Sequence, residues 1–91
     1  EEAEAGLRES LRCDPKFPQA HYQLGLLLEK QKKDTEAIEA LRLAATLDPD
    51  YAEPHYVLGR IYRRSGETEK AEAAWSSFQK LKKEQRQIRP H

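Results

Sequence analysis

The stretch HYQLG at residues 21–25 returns almost unchanged as HYVLG at residues 55–59, thirty-four residues later. Other residues keep the same interval along the chain. The equivalent pairs are Asp14-Pro15 and Asp48-Pro49, Phe17 and Tyr51, and Ala37 and Ala71. One fixed interval of this length is typical of a chain built from stacked copies of a single supersecondary unit. The repeat therefore sets the register in which the whole fold is predicted.

Each period of thirty-four residues predicts a pair of helices. In the first period, apolar residues recur at helical spacing over residues 18–31 and again over residues 35–47. In the second period, helices are predicted over residues 52–64 and from Thr68 onward. Polar turns at residues 32–34 and 65–67 separate the two helices of each pair, so each pair is expected to fold back on itself as a hairpin.

The turns contain residues that favour helix ends. Asp34 or Thr35 is expected to cap the second helix of the first pair, and Thr68 that of the second. Gly66 suits a position with a positive φ angle. Pro49 stops helix continuation, because proline has no amide donor and disfavours helix in the residue before it.

A further helix is predicted at the start of the chain. Within residues 2–13, Ala3 and Leu7 occupy the repeat positions of Ala37 and Leu41. This segment therefore matches the second helix of a hairpin whose first helix is missing. The sequence predicts five helices: one leading helix and two complete hairpins.

The repeat resembles the tetratricopeptide repeat family over residues 2–83. The family pattern combines a bulky residue, Leu-Gly, Tyr, Ala, Phe and a late Pro at set spacings. The first full repeat matches it with His21, Leu24-Gly25, Leu28, Ala37, Leu41 and Pro49. The second matches it with His55, Leu58-Gly59, Tyr62, Ala71 and Trp75, with Lys83 where proline would fall.

The resemblance implies an all-α fold, a right-handed α-solenoid of antiparallel helix hairpins. One domain over residues 1–91 is expected, in four parts. They are a partial repeat with its turn (1–17), two full repeats (18–51 and 52–85) and a tail (86–91). Gly25 and Gly59 should lie where paired helices approach closely, because a glycine inside a helix costs roughly 1 kcal/mol against alanine and needs a compensating contact.

Two departures from the family pattern predict that the array ends with the second repeat. Phe78 stands where the first repeat has Ala44, and Lys83 replaces proline. The last helix can therefore continue as far as Pro90. Trp75, Phe78 and Leu81 are expected to cover the final hairpin, and the charged run after them to solvate its outer face.

The resemblance also implies a concave groove, lined by the first helix of each hairpin, that binds a protein or peptide partner. The groove residues implied here are Gln19, Tyr22, Leu26, Glu29, Glu53, Tyr56, Arg60 and Arg63. They are spaced by 3, 4 and 3 residues in both repeats, which fits one helical stripe. Tyrosine and arginine are common anchors of recognition sites. In the alternative interpretation, Tyr22 and Tyr56 only cover the junction between hairpins.

The chemistry of the partner is less well determined. The lysine, asparagine and arginine clamp with which some members of the family hold a peptide carboxylate has no match here. Arg60, Arg63 and Arg64 nevertheless form a basic stretch, from which we hypothesise a preference for an acidic peptide.

Composition and motifs exclude several other functions. A formal net charge of +0 gives no electrostatic reason to expect nucleic-acid binding. The longest apolar stretch is far too short to span a membrane. No phosphate loop, zinc spacing or catalytic triad is present, so no enzyme activity, metal or cofactor is expected. The equivalent residues His21 and His55 are better explained as helix-junction residues than as metal ligands, and Cys13, equivalent to Leu47, as a small hydrophobic residue.

Two alternatives to partner binding stay open. The chain can self-associate through Leu7 and Leu11 of the unpaired leading helix, helped by a net charge of −3 over residues 1–14 and +4 over residues 79–91. It can also be a spacer or targeting arm of a larger protein, since it begins directly in a helical pattern. The compartment is not determined, and a soluble cytoplasmic location is only the default expectation.

Overall fold

In the computed structural model, residues 2–88 are described, with the side chains of residues 3–85. These residues form five α-helices and no strand. The helices are α1 (Glu2–Cys13), α2 (Pro18–Lys30), α3 (Asp34–Leu47), α4 (Glu53–Arg64) and α5 (Thr68–Ile88). The predicted all-α fold and the predicted number of helices are confirmed.

The first helix of each hairpin begins at a proline or next to one. Pro18 is the first residue of α2, and Pro54 is the second residue of α4. Proline suits the first turn, where its missing amide would have no partner inside the helix. The predicted caps are wrong: α3 is preceded by Lys33, which makes no side-chain cap bond. Thr68 is itself the first residue of α5.

The two tight turns inside the hairpins have the same backbone. Lys32 has φ 62° and its equivalent Gly66 has φ 86°. After α2, the amides of Lys32 and Lys33 donate to the carbonyls of Glu29 and Leu28, both at 2.9 Å. This is the paired bonding of a Schellman turn, which requires one residue in the left-handed region. The prediction for Gly66 is confirmed, whereas the positive φ of Lys32 was not predicted.

The helices of each hairpin approach closely at the glycines. A β-carbon at Gly25 would lie 2.7 Å from Cγ of Leu41, and one at Gly59 would collide with the indole ring of Trp75. Leu41 is fully buried. The absence of a side chain on α2 and α4 therefore makes room for the bulky residue of the partner helix, as the repeat pattern predicts.

One hydrophobic core runs through both hairpins. It is formed by buried side chains that include Leu24, Leu28, Leu41, Leu58 and Ile61. The core is continuous because α3 packs on both α2 and α4. Helix α1 packs on α2, and its Leu7 and Leu11 are only partly buried against the core.

Helices α2 and α4 form the inner side of a curved array. Over residues 2–88 these two first helices contact each other, whereas α1, α3 and α5 make no helix-to-helix contact among themselves. The second helices are therefore splayed apart on the outer side, as stacking of hairpins with a small rotation per repeat requires. Any groove between first helices lies on the α2 and α4 side.

Helix α5 continues through Lys83 to Ile88, as the missing proline predicts. Its extension is held to the body of the fold by two side chains. Lys82 Nζ donates to Glu53 at 2.9 Å, and Gln85 Nε2 donates to the carbonyl of Asp50 at 2.8 Å. The predicted continuation to Pro90 lies outside the described residues.

Candidate functional site

An inner stripe runs along α2 and α4, and six of the eight residues predicted to line the groove contribute to it. We define the inner stripe as Tyr22, Leu26 and Glu29 of α2 with Tyr56, Arg60 and Arg63 of α4. The two halves meet directly, because Arg60 reaches across from α4 to Glu29 of α2. The stripe is therefore one surface rather than two separate helix faces.

The centre of the inner stripe is a network of charged hydrogen bonds. Arg60 donates to both oxygens of Glu29, from Nε at 2.8 Å and from Nη2 at 2.7 Å. Arg64 donates to Glu29 at 3.2 Å and to Asp34 at 3.0 Å. The Glu29 side chain is only 11% exposed. A bidentate pair of this kind fixes geometry as well as charge.

The network sets the ionisation of Glu29. The hydrogen bond from Arg60 is the main cause that lowers the pKa of Glu29 below its ordinary value, and burial acts in the opposite direction. Glu29 is therefore a carboxylate at neutral pH, and it offsets the charge of Arg60 and Arg64 together with Asp34. The two arginines are already occupied within the chain, which weakens the hypothesis that they attract an acidic peptide.

Aromatic rings flank the charged centre. Tyr22 packs against Tyr51 with ring centroids 5.3 Å apart, and Tyr56 packs against Phe78 at 5.2 Å. Tyr56 is 47% exposed, and the guanidinium of Arg60 lies 5.8 Å from its ring. Tyr51 and Phe78 were not among the predicted groove residues. In the sequence, Tyr51 stands out as the equivalent of Phe17, and Phe78 stands out because it replaces the small residue of the family pattern. Neither observation indicates which ring these residues contact.

A shallow depression of about 440 Å³ opens beside Tyr56, lined also by Arg60, Arg63, Arg64 and Trp75. Trp75 Nε1 donates to the carbonyl of Tyr56 at 3.2 Å, which anchors the indole to α4. Arg63 lies over the face of Trp75, 5.9 Å from its centroid. The depression is thus lined by two aromatic rings and three guanidinium groups, of which those of Arg60 and Arg64 are already hydrogen-bonded to carboxylates of the chain.

Two predicted groove residues lie at the edge of this surface. Gln19 is exposed in the first turn of α2. Glu53 begins α4 and accepts a hydrogen bond from Lys82, which is the main cause of its lowered pKa. The structure therefore brings Tyr22, Glu29, Tyr56 and Arg60 together. Within residues 3–85, the Gln19 side chain makes no hydrogen bond to them.

The surroundings of His21 and Cys13 can be compared with the roles that the sequence predicts for them. The buried His21 contacts the carbonyl of Pro15 through Nε2 at 2.8 Å, so the ring nitrogen donates to it. Within the described part of the chain, no three His, Cys, Asp or Glu side chains group to hold a metal ion. Cys13, interpreted from the sequence as a small hydrophobic residue, is exposed. It ends α1, whereas its equivalent Leu47 ends α3 and is half-buried.

Comparison with known families identifies the repeat. A family described as "Tetratricopeptide repeat" matches residues 7–39, and one described as "TPR repeat" matches residues 30–66. Together the two matches span about two-thirds of the chain. The chain belongs to the tetratricopeptide repeat family. No protein of curated function matches its sequence significantly.

Solved structures share the fold. "Crystal structure of MamA" superposes with a TM-score of 0.91 at 18% identity, over 93% of this chain and 50% of that one. "MamA 41-end from Desulfovibrio magneticus RS-1" gives a TM-score of 0.82 at 26% identity, over 87% of this chain and 45% of that one. "MamA MSR-1 C2" gives 0.81 at 22% identity, over 87% and 45%. The chain spans about half the length of these structures.

Family membership gives a general function. Tetratricopeptide repeats generally mediate protein–protein interaction and are generally non-catalytic scaffolds, and both matched families are repeat families rather than enzyme families. Within residues 2–88, no helix combines the length and the apolarity that crossing a bilayer requires.

Proposed function

We propose that this chain is a non-catalytic protein-interaction module whose inner stripe binds a segment of a partner protein. The observation that supports the proposal best is the exposure of Tyr56, 47%, beside a depression that it shares with Trp75 and Arg63. Exposed aromatic and arginine side chains around a depression are the usual anchors of protein recognition.

The charged network favours a partner segment with apolar or aromatic side chains over a highly acidic one. Arg60 and Arg64 are already hydrogen-bonded to Glu29 and Asp34. An acidic ligand would have to displace these internal carboxylates, and one of them is mostly buried. Arg63, stacked on Trp75, is then the arginine of the stripe best placed to meet a ligand.

The test removes the exposed anchors and leaves the network intact. We expect Tyr56→Ala with Arg63→Ala to lose capture of a partner from source lysate while keeping the parent's circular dichroism and melting temperature. The matched control is Leu43→Ala with Arg12→Ala, which also removes one exposed apolar side chain and one exposed arginine, but from other helices. If the control pair lost the partner and the stripe pair kept it, the inner stripe would not be the binding surface.

Self-association is a second candidate, favoured by the exposure of Phe17. Its repeat equivalent Tyr51 packs on Tyr22, whereas Phe17 is 42% exposed. Phe17 immediately precedes α2, and Leu7 and Leu11 of the neighbouring helix α1 are only partly buried. Sedimentation over a wide concentration range tests this candidate: association that Phe17→Ser abolishes would support it, and a monomer at every concentration would rule it out.

A further inference from the structure

Two grooves lie on the outer side of the array, between successive second helices. The N-terminal outer groove, between α1 and α3, has a volume of about 350 Å³, and the C-terminal outer groove, between α3 and α5, about 450 Å³. They are repeat equivalents: Arg8, His21 and Leu24 of the first correspond to Arg42, His55 and Leu58 of the second. Each therefore serves as an internal comparison for the other.

The charges of the two grooves differ at two equivalent positions. The N-terminal outer groove has Glu36 and Glu39 on its α3 wall. The C-terminal outer groove has Lys70 and Ala73 at those positions on α5. Both keep an arginine, so the first groove has one cation with two carboxylates, whereas the second has two cations on opposite walls.

The floor of the C-terminal outer groove is apolar and aromatic. Leu58 is buried there, and Lys70 Nζ lies 5.7 Å from the centroid of Tyr62. Burial lowers the pKa of His55, which keeps its ring neutral near pH 7. His21 uses its ring nitrogen on the Pro15 carbonyl, but the imidazole ring of His55 makes no hydrogen bond within residues 3–85.

We propose that the C-terminal outer groove binds a partner segment carrying an aspartate or glutamate next to an apolar residue. Arg42 on α3 and Lys70 on α5 receive the carboxylate from opposite walls, and the His55 ring can donate to it from the floor. The apolar neighbour packs on Leu58 and Tyr62. This site is separate from the inner stripe and does not depend on it.

A single carboxylate fits this groove better than a polyanion does. Lys70 is paired with Glu67 at 2.9 Å, but both side chains are exposed (64% and 44%), so a ligand displaces this pair more easily than it displaces the mostly buried Glu29 of the inner stripe. Glu39 lies one helical turn from Arg42. A nucleic acid or an anionic membrane places a row of phosphates against the protein and needs a broad basic surface. Here carboxylates flank both cations, and the formal net charge of the chain is +0. The groove therefore matches a short acidic and apolar segment.

The first experiment is an amide NMR titration of the whole chain with a terminally blocked hexapeptide containing a central Glu-Leu pair. We expect shifts in Ala45, Thr46, Ala73 and Ser77, the small residues of the groove walls. The matched peptide with Gln-Leu should bind at least fivefold more weakly. Lys70→Glu, which copies the charge of Glu36, should weaken binding of the Glu-Leu peptide by a similar factor. Equal affinity for the two peptides would overturn the proposal.

The second experiment transfers the site to the other groove. Glu36→Lys with Glu39→Ala gives the N-terminal outer groove the charges of its equivalent, and we expect a second set of shifts around Arg8 and Leu43. A folded variant without that second site would contradict the proposal. So would tighter binding of a short single-stranded oligonucleotide, or of anionic vesicles, than of the peptide. Tyr56→Ala with Arg63→Ala should leave the peptide affinity unchanged, which separates this test from that of the inner stripe.

Discussion

Gly25 occupies a position where alanine, the better helix former, should destabilise the protein. A β-carbon there would lie 2.7 Å from the fully buried Leu41. Overpacking of this kind typically costs about 1–3 kcal/mol, against roughly 1 kcal/mol gained in helix propensity. We expect Gly25→Ala to lower the free energy of unfolding by up to about 2 kcal/mol, measured by urea denaturation.

Gly6 provides the matched control for Gly25. It also lies inside a helix, but a β-carbon there would meet no atom within 4 Å. Gly6→Ala should therefore leave stability unchanged or raise it by up to about 1 kcal/mol. The prediction rests on the opposite signs of the two substitutions. If both raised stability, the close approach of α2 and α3 would not be the reason for the glycine.

The ion pair at Glu29 should make stability depend on pH. Its pKa in the folded chain is lowered from the ordinary value of 4.5, chiefly by the hydrogen bond from Arg60. The pair therefore stabilises the fold above the unfolded-state pKa, and this contribution is lost as pH falls through the folded-state pKa. Glu29→Gln should cost about 1 kcal/mol at pH 7 and much less near pH 3.

Urea denaturation of the parent and of Glu29→Gln at the two pH values measures this difference. The control is Glu9→Gln, since Glu9 pairs with Arg12 at an exposed position of α1. Exposed pairs contribute little, so the control should change stability by only a few tenths of a kcal/mol at either pH. A pH-independent effect of Glu29→Gln would mean that the side chain acts through packing rather than charge.

Single residues show where the sequence was sufficient and where it was not. The glycine contacts followed from the repeat, because Gly25 and Gly59 share one repeat position and meet equivalent side chains. The pair of Glu29 with Arg60 has no equivalent in the other repeat and joins residues 31 positions apart. Periodicity cannot reveal such a contact. It placed both residues on one stripe but did not show that they neutralise each other.

At the scale of elements, the extension of α5 depends on Lys83 standing where the family pattern has proline. Proline there would remove a backbone hydrogen bond and disfavour helix at Lys82. Lys82 contacts Glu53, and Gln85 contacts the Asp50 carbonyl, so both contacts require the helix to continue. We expect Lys83→Pro to end α5 near Leu81 and release the extension.

Cα chemical shifts of residues 79–88 measure this change, with Lys83→Ala as the control that keeps the helix. Because the side chains of residues 82–85 contact the start of α4 and the loop before it, outside the buried core, the melting temperature should fall by only a few degrees. Persistence of helical shifts beyond residue 83 in the proline variant would show that the extension is held by contacts other than these.

Helix boundaries followed from the sequence to within about one residue, because prolines and the repeat register fix them. The caps did not. Lys32 adopts φ 62°, although a non-glycine side chain is strained in that region. The turn after α2 is set by the packing of α2 on α3 rather than by its own residues. In that turn the packing of the helices overrides the backbone preference of Lys32. In the equivalent turn, Gly66 suits both the packing and the positive φ angle.

Across the whole molecule, stability should fall from the centre of the array toward α1. In a stack of hairpins each helix is stabilised mainly by its neighbours, so a helix with one neighbour is weaker than a helix with two. Among the helices of residues 2–88, α1 packs on α2 alone, and α3 packs on α2 and α4. Leu7 and Leu41 occupy the same repeat position at the two sites and allow a direct comparison.

Leu41 is fully buried, whereas Leu7 is only partly buried. Leu41→Ala should cost about 3 kcal/mol or more, enough to unfold much of a marginally stable domain of this size, and Leu7→Ala about 1 kcal/mol or less. Native-state hydrogen exchange of the parent should show the same gradient, with amides of α1 exchanging faster than those of α3 and α4. Equal protection of α1 and α3 would mean that the leading helix has a second neighbour in solution. Loss of that protection on dilution would identify the neighbour as another copy of the chain.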